Sequence, residues 1–361
     1  MKPETIKVLI VDDSAGMRMM LEQIFGADPA FEVAGLASDG IEAVEAVERL
    51  APDVITMDIQ MPRMDGLEAT RRIMETRPTP IVILSGNLDQ QEVASSFRAM
   101  EAGALVALPK PRGVAHPEYE ADVANLVRKV KLMAEVKLVR RWPRMDKGTL
   151  PPPPVRLEVS KQSPAADLKA VAIGASTGGP VVINTILSGL PSSFPLPILI
   201  VQHMASGFIR GFADWLNRSS RLPVQVASHG ELLLPGHVYI ATEGFNLEVT
   251  AGGRIALTGT VLEHGQCPSV SALFRSMAEI YGRNAVGILL TGMGDDGARE
   301  LKLMKDKGAV TIAQDRESSV IFGMPGEAVK FGAATYVLPP DRIVELLLSK
   351  YTRSITKGTG R

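Results

Sequence analysis

Through residues 6–110, short apolar runs rich in Val, Ile and Leu alternate with stretches of helical period. The runs are KVLIVDD, FEVAGLA, DVITMDI, PIVILSG and ALVALPK, and amphipathic segments such as IEAVEAVERL and GLEATRRIM lie between them. Strands that are apolar throughout, with helices in between, predict a parallel sheet covered on both faces. The first unit is therefore expected to be a doubly wound α/β domain of five βα repeats. A basic amphipathic stretch over about 118–140 reads as its last helix running into a connector. PRMDKGTLPPPPV and KQSPAAD follow, and their Pro-rich, polar composition suits an extended linker.

A second α/β pattern starts at LKAVAIG. Its strands are predicted at PILIVQH, VQVAS, HVYIA, NLEVTA, RIALT, AVGILLTG, AVTIAQD and ATYVLP, and its helices at 180–189, 207–219, 270–281, 296–307 and 324–331. DRIVELLLSKY closes it, and the polar tail beyond is expected to be disordered. The predicted organisation is a first domain over 1–125, a helical extension and Pro-rich linker over 126–167, a larger doubly wound α/β domain over 168–350, and a tail over 351–361.

Composition narrows the classes. A length of 361 residues favours two domains over one core, and a net charge of −1 gives no electrostatic reason to expect a nucleic-acid partner. The single cysteine, Cys267, excludes an internal disulfide framework and suits a reducing compartment. No apolar run approaches the roughly 20 residues that span a bilayer, and VLIV is followed at once by two aspartates, unlike a signal peptide. A cytoplasmic protein without direct membrane insertion is the expectation.

Chemistry-bearing residues gather at the predicted strand ends. Asp12 and Asp13 follow the first strand, Asp58 ends the third, Ser85 the fourth, and Lys110 follows the fifth. The carboxyl ends of neighbouring parallel strands converge on one crevice. Three carboxylates there suit an oxygen-seeking cation such as Mg²⁺. Lys110 and Ser85 then hold the oxygens of a phosphoryl group that Asp58 accepts as nucleophile. Each aspartate alone reads equally well as a turn or cap residue; the set of five at successive strand ends does not.

In the second unit, AVAIGASTGGP joins a strand to a helix by a tight loop. It lacks the spacing of a dinucleotide loop and the lysine of a P-loop. It fits G-x-S-x-G, which exposes the Ser176 hydroxyl at a sharp turn and aims helix-start N–H groups, beginning with Thr177, at a developing oxyanion. His203 ends a second strand and is the candidate base. His116, His229, His237 and His264 read as surface or turn residues. LLTGMGDDG supplies Asp295 and Asp296, either of which can orient the imidazole; the alternative is a cap for the helix starting near Ala298.

Residues 6–112 resemble the receiver domain of two-component response regulators through VDDS, MDIQMPRMDG, LSG and LPKP. The resemblance implies phosphotransfer from a CheA-like histidine kinase to Asp58, with Mg²⁺ at Asp12, Asp13 and Asp58. Receivers often carry an aromatic switch residue where this chain has Ala107, so a ring-flip route for the signal is in question. Residues 168–350 resemble the methylesterase domain of the CheB family through IGASTGGP, QHM, PGHVYIA, PSVSALF, GRNAVGILLTGMGDDG and the IAQD to FGMP region. This implies Ser176 as nucleophile, His203 as base, Asp296 as orienter and the Met293 backbone as a second oxyanion donor, with no cofactor for the ester chemistry. It further implies demethylation of glutamate methyl esters, and deamidation of glutamines, on methyl-accepting chemoreceptors. HGQCPSV departs from the more basic lead usual in that family. The rival readings are a response regulator whose second domain only binds a partner, and a DNA-binding regulator. The second lacks a basic recognition helix.

Overall fold

The computed structural model describes residues 5–86, 90–136, 168–259, 262–263 and 265–358. In the first unit β1 (Ile6–Val11), α1 (Ala15–Gly26), β2 (Phe31–Ala37), α2 (Gly40–Leu50), β3 (Val54–Asp58), α3 (Gly66–Thr76), β4 (Ile81–Ser85), α4 (Gln90–Glu101), β5 (Val106–Pro109) and α5 (Tyr119–Ala134) alternate as the pattern predicts. The sheet is parallel, in the order β2-β1-β3-β4-β5. Every residue of β3 and β4 is buried, which is why these strands read as unbroken apolar runs. α5 carries the unit past residue 125, because Leu126, Val130 and Met133 are buried in the same core as Val8, Ile10 and Val82.

The second unit contains β6 (Ala170–Ala175), α6 (Gly179–Ser188), β7 (Ile198–Gln202), α7 (Ile209–Ser219), β8 (Val224–Val226), β9 (Val238–Ile240), β10 (Asn246–Val249), β11 (Ile255–Thr258) and α8 (Val270–Ile280). After a short 3-10 turn come β12 (Ala285–Leu289), α9 (Ala298–Asp306), β13 (Val310–Gln314), α10 (Met324–Lys330), β14 (Tyr336–Leu338) and α11 (Pro340–Gly358). Seven strands form a parallel sheet in the order β14-β13-β12-β6-β7-β9-β8, while β10 and β11 make a separate antiparallel hairpin. α11 runs through most of the tail expected to be disordered, since no proline or glycine interrupts the chain between Asp341 and Lys357. The predicted Pro-rich linker lies outside the described residues.

The two units pack together through α4, which lies against α6 and α7. Phe97 of α4 stacks on Trp215 with centroids 5.1 Å apart and an interplanar angle of 16°, and also meets Phe212 and Phe208. Val93 sits over Gly211 so closely that a Cβ added there would fall 2.2 Å from Val93 Cγ1. Only glycine lets the helices approach this far. Beside these contacts, Asn184 Nδ2 of α6 donates to Glu101 Oε1 at 3.3 Å, and burial raises the Glu101 carboxyl above its ordinary value.

Candidate functional site

β6 lies at the sheet centre, with β7 on one side and β12 on the other. Ala175 is in register with Gln202, so Ser176 and His203 leave adjacent strand ends side by side. His203 N–H donates to Ala175 O at 2.9 Å, and Ser176 N–H donates to Thr291 O at 3.0 Å, pinning the elbow between its two neighbours. Gly178, at φ +80°, turns the chain into α6. Gly292 brings the β12 loop against the serine: a Cβ there would lie 2.7 Å from Ser176 Cβ.

Asp296 leaves the third of these strand ends and is 3% exposed. Its Oδ2 accepts from His203 Nε2 at 2.9 Å and from Val270 N–H at 2.8 Å. Its Oδ1 accepts from Ser269 Oγ at 2.8 Å and Ser271 N–H at 2.9 Å. The carboxylate thus caps α8, not the helix starting near Ala298, and orients His203 at the same time. Burial alone would raise its pKa, but the His203 bond and charge, the Ser271 contact and the Val270 amide outweigh it and hold the carboxyl well below the usual range. Asp295 has a different place: its backbone carbonyl accepts from Ala298 N–H.

With Nε2 on Asp296, the Nδ1 lone pair of His203 remains for the serine. No hydrogen bond joins Ser176 Oγ to His203 among the described residues, a separation that substrate commonly closes in such sites. Neither Thr177 N–H nor Met293 N–H donates to another protein group among the described residues, so both expected oxyanion donors are available.

Sequence reasoning missed the groups beneath this site. Gln202 Nε2 donates to both Ser176 O and His203 O, each at 2.8 Å. Thr291 Oγ1 donates to Thr177 O at 2.9 Å, while Thr291 N–H is held by Gln314 Oε1. The one available signal was a glutamine ending an otherwise apolar strand, since buried amides imply hydrogen-bond duty. His229 and His237 serve turns: His229 Nδ1 accepts from Leu257 N–H, and His237 Nδ1 lies 3.0 Å from Pro235 O. His116 Nδ1 accepts from Glu118 N–H, and His264 lies outside the described residues. Cys267 is half-buried.

A cavity of about 160 Å³ lies in front of Ser176 and His203, and its far wall is the first domain: Phe97, Leu108 and Lys129 line it. Burial lowers the ammonium pKa of Lys129, and the neighbouring Arg128 charge adds to this.

At the end of the first sheet, Asp12, Asp13 and Asp58 bring carboxylate oxygens within 4.8 Å of one another. Lys110 Nζ pairs with Asp12 Oδ2 at 2.8 Å and Asp58 Oδ2 at 2.9 Å. Burial pushes Asp58 up to about 6, with Asp12 adding to the rise and Lys110 opposing it. Burial also works against the charge on Lys110, but its bonds to Asp12 and Asp58 leave it above the ordinary lysine value. A set of three hard oxygen donors whose repulsion one lysine only partly relieves fits a small divalent cation. Ser85 Oγ is engaged elsewhere, donating to Glu92 Oε1 at 2.7 Å.

Comparison with known proteins identifies the family of each unit. The CheB methylesterase family model matches residues 171–347, and that of the response regulator receiver domain matches 8–116. A protein-glutamate methylesterase/protein-glutamine glutaminase of Geobacter metallireducens is 62% identical over 95% of this chain and 98% of its own. One from Syntrophus aciditrophicus is 54% identical over 95% and 97%. The solved CheB methylesterase catalytic domain of Thermotoga maritima is 39% identical, covering 50% of this chain and 98% of that one, with a TM-score of 0.49. No helix among the described residues is long and apolar enough to cross a membrane. With such identity along nearly the whole of both chains, this protein belongs to the CheB family of receiver-linked protein-glutamate methylesterases/protein-glutamine glutaminases.

Proposed function

We propose that this chain is a phosphorylation-activated serine hydrolase that removes methyl esters from glutamates, and amide groups from glutamines, on the cytoplasmic helices of chemoreceptors. The observation that carries the reading is the His203–Asp296 pair at 2.9 Å, with His203 and Ser176 at neighbouring strand ends facing one cavity. Ser176 Oγ attacks the γ-carbonyl carbon while His203 Nδ1 takes its proton. The oxygen charge that develops faces Thr177 N–H and Met293 N–H. Collapse breaks the C–O bond to the methoxy group, or the C–N bond of an amide, and His203 returns the proton to the departing methanol or ammonia. Water, deprotonated by His203, then cleaves the glutamyl ester and restores Ser176. Asp296 stays ionised throughout and stabilises the imidazolium.

The receiver regulates this chemistry. In the unphosphorylated state α4 rests on α7 and the receiver closes the cavity in front of Ser176. A CheA-like histidine kinase supplies the phosphoryl group: its P–N bond breaks as a P–O bond to Asp58 forms. Asp12, Asp13 and Asp58 would hold Mg²⁺, which supplies charge neutralisation for the phosphoryl oxygens. Lys110 and Ser85 orient the same oxygens. Phosphorylation then shifts the population toward an open arrangement by favouring it in free energy. The enzyme works in the cytoplasm and inserts into no membrane.

The test is methanol release from a methylated receptor fragment. Ser176→Ala is expected to abolish release, and Asp58→Asn to leave a slow basal rate that a small phosphodonor cannot raise. Normal turnover by the Ser176 variant would overturn the assignment.

A further inference from the structure

Ser85 and Asp58 sit at neighbouring strand ends, yet the Ser85 hydroxyl is committed to Glu92. The same carboxylate oxygen also accepts from Gly86 N–H at 2.7 Å. Glu92 is 3% exposed, an unusual burial for a carboxylate. It belongs to α4, and the next residue, Val93, is the one pressed onto Gly211 of α7. One turn later comes Phe97 on Trp215. α4 therefore joins the phosphoryl site to the domain interface within a single turn. Ala107, at the position where an aromatic switch would stand, offers no ring to carry the signal.

We propose that Glu92 is a positioning residue of the receiver, holding the Ser85 hydroxyl away from Asp58 and, by that bond, seating α4 on α7. A serine hydroxyl has one proton to donate, so Ser85 serves Glu92 or a phosphoryl oxygen but not both. A phosphoryl group on Asp58 brings about −1.5 to −2 charge and new acceptor oxygens. Turning Ser85 toward it takes a donor from Glu92 and sets a like charge near that carboxylate. Both changes push the first turn of α4 away from the end of β4, and Val93 and Phe97 move with it. The inference rests on phosphorylation of Asp58 and deepens it: the signal travels by hydrogen-bond competition in place of a ring flip.

The test uses the full chain with Trp142→Phe, which leaves Trp215 as the only tryptophan and makes its emission a reporter of the interface. Glu92→Ala and Glu92→Gln are compared with the parent, before and after acetyl phosphate and Mg²⁺, with Asp58 phosphorylation followed separately. Glu92→Ala is expected to show the emission of the phosphorylated parent without phosphodonor, and a several-fold higher basal methanol release. Glu92→Gln keeps an acceptor oxygen but no charge, so it should start closed and respond less than the parent to phosphodonor. Parental emission and parental response in Glu92→Ala would refute the proposal. So would a full parental response in Glu92→Gln, which guards against a misfolded alanine variant. If the parent itself takes no phosphoryl group, the phosphorylation reading fails on its own. The emission of unphosphorylated Glu92→Ala still judges whether Glu92 seats α4.

Discussion

Phe97→Ala should release the esterase from its receiver. Phe97 is 1% exposed, and its ring has three aromatic partners on α7 or just before it. Fully burying a phenylalanine stabilises by about 1.5–3 kcal/mol, and a well-oriented aromatic pair adds about 0.5–1.5 kcal/mol. Part of this burial is against the receiver itself and survives when the domains separate. Crediting the interface with roughly half leaves about 2 kcal/mol, or roughly a 30-fold shift in the closed-to-open ratio at ~1.4 kcal/mol per tenfold. Basal methanol release from a methylated receptor fragment should therefore rise by up to that factor, stopping at the rate of the phosphorylated wild type. Phosphodonor should add correspondingly little. An unchanged basal rate in a folded variant would refute the closed-state argument. A parallel fall of basal and stimulated rates would show damage to the catalytic domain instead.

Further outcomes follow from the two sites. Gln202→Leu removes two donors beneath Ser176 and His203, and at about 0.5–1.5 kcal/mol per bond kcat per titrated serine should fall several-fold with KM little changed; a change confined to KM contradicts a positioning role. Asp296 is more acidic folded than unfolded, so its contribution to stability is complete above the ordinary carboxylate range, about pH 4, and is lost as pH falls toward its depressed folded value. Tm measured from pH 6 to pH 2 should accordingly drop less steeply in Asp296→Asn than in wild type, and identical acid limbs would contradict this. Chelating Mg²⁺ should abolish stimulation by phosphodonor while leaving basal methanol release intact; loss of the basal rate would place a metal in the ester chemistry.

Sequence reading reached far because the two large sheets are parallel and their central strands are buried on both faces. Such strands announce themselves as unbroken apolar runs, and their carboxyl ends mark where chemistry gathers. Asp12, Asp58, Ser85 and Lys110 were legible from that rule, as were Ser176 and His203. The choice of Asp296 over Asp295 came from a family resemblance; physically it depends on which carboxylate faces α8 and the imidazole, and adjacent residues differ in that only once the loop is folded. α5 falls inside the basic amphipathic stretch expected over about 118–140, and its buried Leu126, Val130 and Met133 mark the face that meets the core. What the sequence alone determined was two α/β units and the residues at their strand ends, since those depend on local periodicity. Only the tertiary structure decided that Glu92 claims Ser85, that Gln202 clamps the backbone of Ser176 and His203, and that Phe97 seats the receiver on α7. Each joins residues distant in the chain, and no spacing rule brings such partners together; packing does.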